Sequence, residues 1–153
     1  YDVKKYLPTN GFLYVFVNED LEGEVIYTNC ETTQLKRVVQ EHCGPFFLGY
    51  LIDSFNNEKE KLEERYDEEW SGESSNQLGF NPFAGFEKTK IYGLYSNCQL
   101  EEKETMEIIN RLKILLLQIG EDFNDEGILS VLIEREDLLN KDFSNCTVEW
   151  SQS

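Results

Sequence analysis

The sequence predicts an α+β fold: one largely antiparallel sheet with a few edge helices, in a single domain over residues 1–153. Three observations predict it. From Lys113 onward, two apolar runs, Lys-Ile-Leu-Leu-Leu-Gln-Ile-Gly and Gly-Ile-Leu-Ser-Val-Leu-Ile, are split by an acidic turn, the pattern of paired strands. In the first third, apolar runs follow one another across polar links too short for crossover helices, so they pair antiparallel. Elsewhere, two charged segments carry apolar residues at helical spacing.

Each element follows from local chemistry. Leu7-Pro8-Thr9-Asn10-Gly11 is a turn, because Pro fixes φ and Asn-Gly takes positive φ readily. Phe12 to Val17 is apolar on both faces and predicts a strand covered on each side or by aromatic packing. Glu24 to Thr28 and Leu35 to Val39 read as further short strands. Phe46 to Ile52, entered through Gly44-Pro45, fits a strand or a short buried helix, with strand preferred. Asn56 to Trp70 places Leu62, Tyr66 and Trp70 at steps of four among dense charge, which predicts a helix with one narrow apolar stripe. Seven acids face Lys59, Lys61 and Arg65 between Glu58 and Glu69, so pairing within that helix adds little. Ser71 to Gly85 reads as a long loop pinned by Phe80 and Phe83, Lys90 to Tyr95 as a short strand, and Glu101 to Leu112 as a helix. Strands over Ile114 to Ile119 and from Gly127 to Ile133 follow. The Glu-Arg-Glu-Asp segment after them predicts a short capping helix.

Composition bounds the function. A chain of 153 residues buries roughly 70% of its unfolded surface, and ten Phe, eight Tyr and two Trp argue for a packed core. Thirty acidic residues against 14 Lys and Arg leave a net charge of −16. Such a field repels phosphate backbones and anionic lipid, so neither nucleic acid nor a membrane surface is an expected partner; a basic protein or a cation fits better. The bland reading is that the charge only keeps the chain soluble. No signal peptide or apolar span is present, which predicts a cytoplasmic protein with free thiols. The sequon Asn145-Cys146-Thr147 then carries no meaning. The chain starts at Tyr1 instead of Met and is expected to be a fragment or a processed form.

Candidate chemistry is sparse. Cys30, Cys43, Cys98 and Cys146 form no Cys-x-x-Cys pair, against a zinc ribbon or thioredoxin-type site. Asp122, Asn124, Glu126 and Gly127 imitate the first half of a calcium loop, but Ile133 stands where a bidentate Glu should close the cage. A hairpin turn is the preferred reading, so no metal and no cofactor is expected. His42 adjoins Cys43, yet neighbours in a strand face opposite ways and cannot work as a nucleophile and its base. Carboxylate pairs such as Glu68 with Glu69 and Glu101 with Glu102 are too common here to mark a general acid. No Gly-rich phosphate loop and no Gly-x-Ser-x-Gly elbow occurs.

The C-terminal pattern Ile114 to Gly120, Asp125 to Leu129, Ile133, Glu136 to Leu138 and Asp142-Phe143 resembles the YwqG-like family of bacterial proteins, a group without an established biochemical function. Leu7-Pro8 with Gly11 to Phe16, and Lys90 to Gly93 with Gln99, agree in order. Relative to that pattern, the chain lacks a longer N-terminal segment, and the family's Trp-Gly-Asp-x-Gly turn survives only as Phe123 to Gly127. The resemblance implies a curved, largely antiparallel sheet with edge helices, and the family's association with secreted toxins implies an immunity role.

The expected function is therefore non-enzymatic: a bacterial protein acting by protein binding, as an immunity-type neutraliser of a basic toxin. Its expected partner-binding residues are Glu58, Glu63, Tyr66, Glu69, Trp70, Glu121, Asp122, Asp125 and Glu126, with the aromatics as anchors. The alternative is a small-ligand binder or enzyme with a site in the sheet's concavity, lined by Tyr14, Tyr27, Tyr92 and Gln118. The sequence sets no oligomeric state.

Overall fold

The structure, a computed structural model, describes residues 5–17, 22–36, 52–65, 84–96, 113–120 and 127–152. Apolar residues with high strand propensity build β1 (Phe12–Val17) and β2 (Gly23–Thr28), which pair antiparallel with Tyr14 opposite Ile26 and Phe16 opposite Glu24. Gly11, at φ 89°, turns the chain into β1; a Cβ there would collide with the Thr28 carbonyl. The larger sheet holds β3 (Lys90–Ile91), β4 (Lys113–Ile119), β5 (Gly127–Glu134) and β6 (Thr147–Gln152), in that spatial order and antiparallel throughout.

β5 lies between β4 and β6, and Ile128 to Ile133 are all buried, so both of its faces are covered. On one face Leu116, Val131 and Ile133 form a cluster with Val25 of the hairpin, Leu138 and Phe143. Leu13, Val15 and Tyr27 add to it, so the hairpin's inner face is the lid of this half of the core. On the opposite face Leu115 and Leu132 pack beneath Tyr95. A bulge between Leu115 and Leu117 lets both Leu116 and Leu117 join the first cluster.

The chain leaves β5 through helix α1 (Arg135–Asn140), which has Glu136 and Asp137 in its first turn, where the helix dipole favours them. It ends at Lys141 in the left-handed region, whose N–H donates to the Asp137 and Leu138 carbonyls. Leu138 is the residue α1 buries. Burial of a side chain of that size stabilises by roughly 1.5–3 kcal/mol.

Several expectations are corrected. The described strands form two sheets packed face to face, and no single curled sheet encloses a concavity among the described residues. Of the helix expected over Asn56 to Trp70, residues 56–61 are irregular and Leu62–Arg65 make a 3-10 turn, while residues 66–70 lie outside the described residues. Two lysines facing this segment explain the difference, because they engage Glu58 and Glu60. Leu35 and Lys36 are exposed and outside any strand; a 3-10 turn at Thr32–Gln34 precedes them, closed by a reciprocal Glu31 and Gln34 capping box. Ile52 is irregular and exposed. The strand expected over Lys90 to Tyr95 stops at Ile91, because Tyr92 and Gly93 both take positive φ, 63° and 106°. The rest of the Leu35 and Phe46 runs, nearly all of the Ser71 to Gly85 loop and the Glu101 to Leu112 helix lie outside the described residues.

Candidate interaction surface

Alternation along β1 sends Leu13 and Val15 into the core and leaves Phe12, Tyr14 and Phe16 on the other face of the hairpin. Those three rings form a ladder. Phe12 and Tyr14 have centroids 6.1 Å apart and planes 29° apart; Tyr14 and Phe16 are at 6.0 Å and 20°. Across from them on the same face stand Thr28, Ile26 and Glu24. Phe16 is 55% exposed and Ile26 40%, unusual for neighbouring large apolar side chains. Glu24 is exposed at the edge of the ladder, and no described residue forms an ion pair with it. Tyr27 points the other way and packs on Phe143 with centroids 5.7 Å apart, its hydroxyl donating to the Asn10 carbonyl at 3.0 Å.

The acidic stretch after Ile52 is partly neutralised from within. Lys88 Nζ donates to Glu58 Oε2 at 2.8 Å across the surface, and this bond raises the Lys88 pKa. Two residues on, Lys90 Nζ meets both Glu60 oxygens at 2.9 and 3.1 Å and also donates to the Leu94 carbonyl at 2.7 Å. The Leu94 N–H returns to Glu60 Oε2 at 2.6 Å. With side-chain exposures of 12% for Lys90 and 18% for Glu60, this is an internal clip holding the segment against the β3 turn. Lys61 pairs with Glu64 at 3.1 Å.

Of the acidic partner-binding set, Glu58 and Glu63 are described: Glu58 is tied to Lys88, while Glu63 is exposed. Tyr66, Glu69, Trp70, Glu121, Asp122, Asp125 and Glu126 lie outside the described residues, as do His42 and Cys43. The aromatic ladder is absent from the surface expected from sequence. The signal was present in Phe12-Leu-Tyr-Val-Phe-Val, whose two faces are both apolar although a two-stranded unit has only one core to cover.

The four residues of the alternative pocket do not share a face. Tyr27 and Tyr92 pack on the core cluster beneath the hairpin, Tyr92 with its ring edge-on to Tyr6 at 6.4 Å. Tyr14 stands in the outer ladder. Gln118 lies on the far face of the large sheet, in a polar row that runs across four strands from Lys90 through Gln118 and Ser130 to Glu149. Gln118 is fully buried, and its Nε2 donates to the Gly85 and Lys88 carbonyls at 2.8 Å each. Its Oε1 and the neighbouring Ser130 Oγ, also buried, have no hydrogen-bond partner among the described residues. Glu149 closes the row by accepting from the Tyr95 hydroxyl at 2.7 Å.

Cys30 and Cys146 are free thiols, and burial, reinforced by Asp137 and Asp142, pushes Cys146 up to about 11. No three metal-capable side chains cluster among the described residues, and none of the described helices is long and apolar enough to cross a membrane. A family model described as Domain of unknown function (DUF1963) matches residues 2–151. No curated protein and no solved structure matches the chain.

Proposed function

We propose that this chain, which belongs to the DUF1963 family of domains of unknown function, works without catalysis by binding a basic protein partner. The observation that carries the reading is the imbalance of charge: at −16 the chain has few cations, and Lys61, Lys88 and Lys90 are already held in ion pairs within it. The surplus carboxylates are therefore left to the outer surface, where their field speeds encounter with a cationic partner and discriminates against anionic competitors. Neutralisation of a basic toxin, with the YwqG-like naming from which that role comes, is the specific form of the proposal.

The test is binding as a function of salt. Partners captured on the immobilised chain at low ionic strength should be basic, and their affinity should fall at least about tenfold by roughly 0.5 M NaCl as the Debye length shortens. Acidic partners, or affinity indifferent to salt, would refute the reading.

A second reading has one observation in its favour. Gln118 Oε1 and Ser130 Oγ, without a partner among the described residues, face the same side of the sheet in directly opposed positions, an arrangement that suits a small polar ligand. A crystal structure with non-protein density bonded to both atoms would favour it over protein binding.

A further inference from the structure

We propose that the outer face of the β1–β2 hairpin is the docking surface, and that its occupant is an extended, arginine-bearing segment of a basic protein. The inference rests on the reading above and narrows it to one face and one chemistry. Phe12, Tyr14 and Phe16 repeat at 6.1 and 6.0 Å along the strand. Same-face side chains of an extended peptide repeat at about 6.8 Å, so alternate residues of the occupant fall over successive rings. A planar, weakly hydrated guanidinium lies flat on an aromatic ring more favourably than a compact ammonium does. Glu24, directly across from Phe16 and without an ion pair among the described residues, is placed to receive the charge of a guanidinium resting there.

Charge decides among occupants. A second copy, itself carrying a net charge of −16, would be repelled. A neutral apolar segment would leave Glu24 uncompensated.

Fluorescence anisotropy with two labelled eight-residue peptides, alternating Arg with Thr or Lys with Thr, tests the inference on the full chain. The Arg peptide should bind the unaltered chain at least about threefold more tightly than the Lys peptide. Phe16→Ser should weaken it about tenfold and Glu24→Gln about threefold. Phe16→Leu should keep apolar contact yet erase the preference for Arg. Glu136→Gln, which removes an equal charge from the exposed face of α1, should stay within about twofold. Phe16 is half exposed, so these variants should retain the parent circular dichroism spectrum. If both peptides bind but the hairpin variants behave like Glu136→Gln, the surface is wrong while the basic-partner reading stands. If neither peptide binds even at low salt, that reading falls and takes this one with it. Self-association abolished by Phe16→Ser in sedimentation, without peptide binding, makes a second copy the occupant and overturns the proposal.

Discussion

At the scale of single residues, the ion pairs of the acidic stretch differ sharply in burial and should differ in worth. Glu58→Ala removes a partner from a pair exposed at 41% and 63% and should cost under about 1 kcal/mol in urea denaturation. Glu60→Ala removes the carboxylate that Lys90 and the Leu94 N–H both engage in a largely enclosed clip and should cost roughly 2–3 kcal/mol. Ser130→Ala deletes a buried hydroxyl with no hydrogen-bond partner among the described residues, so stability should hold or rise by up to about 1 kcal/mol; a loss of that size would show the hydroxyl is engaged. Cys146 links stability to pH. Its thiol is raised from a usual 9.0 to about 11, so the folded chain retains the proton that the unfolded chain has released. The contribution is fully present below 9.0 and is lost as pH rises through 11. Iodoacetamide modification of Cys146, followed by peptide mass spectrometry, should accelerate through that interval, and Asp137→Asn should shift the midpoint only slightly down because burial is the larger cause. Asp142 behaves oppositely: the Ser144 hydroxyl and N–H hold its carboxyl below the ordinary range, so its contribution is present above the usual carboxylate pKa and fades as pH falls through the lowered value.

At the scale of elements, the seating of the hairpin depends on Gly23 opening β2. A Cβ there would run into the Val148 side chain of β6, so Gly23→Ala should lower stability by about 1–3 kcal/mol and release the hairpin before the larger sheet. The strands at β1, β2, β4 and β5 were legible because each apolar run is bounded by turn residues, and α1 because acids precede an apolar residue after a strand. The strand at β6 was not anticipated, although Val148 and Trp150 alternate with polar residues; its pattern is weak because its partner β5 supplies most of the burial. The described first half of the helix expected from Asn56 departs for a different reason. Its period rests on Leu62, Tyr66 and Trp70, but residues 56–61 are held in an irregular path by Lys88 and Lys90, which are distant in sequence and invisible to any local pattern. The polar row is half visible in sequence: Gln118 stands out as a polar residue within an apolar strand, but its neighbours across the sheet depend on a register shifted by the bulge at Leu116.

At the scale of the whole molecule, the surplus negative charge predicts that unfolding midpoints rise with moderate salt, as self-repulsion is screened, while cationic binding weakens over the same range. A melting series in increasing NaCl checks the first half, and opposite slopes for stability and affinity are the expected outcome. The packing of an early hairpin onto a late sheet also has a consequence for biosynthesis. β1 and β2 leave the ribosome long before Val131, Ile133 and Phe143 exist to receive them. Throughout that interval both sides of the aromatic strand are bare to water or to a chaperone, and a nascent-chain complex halted before Gly127 should recruit holdases that one halted well beyond Gln152 does not.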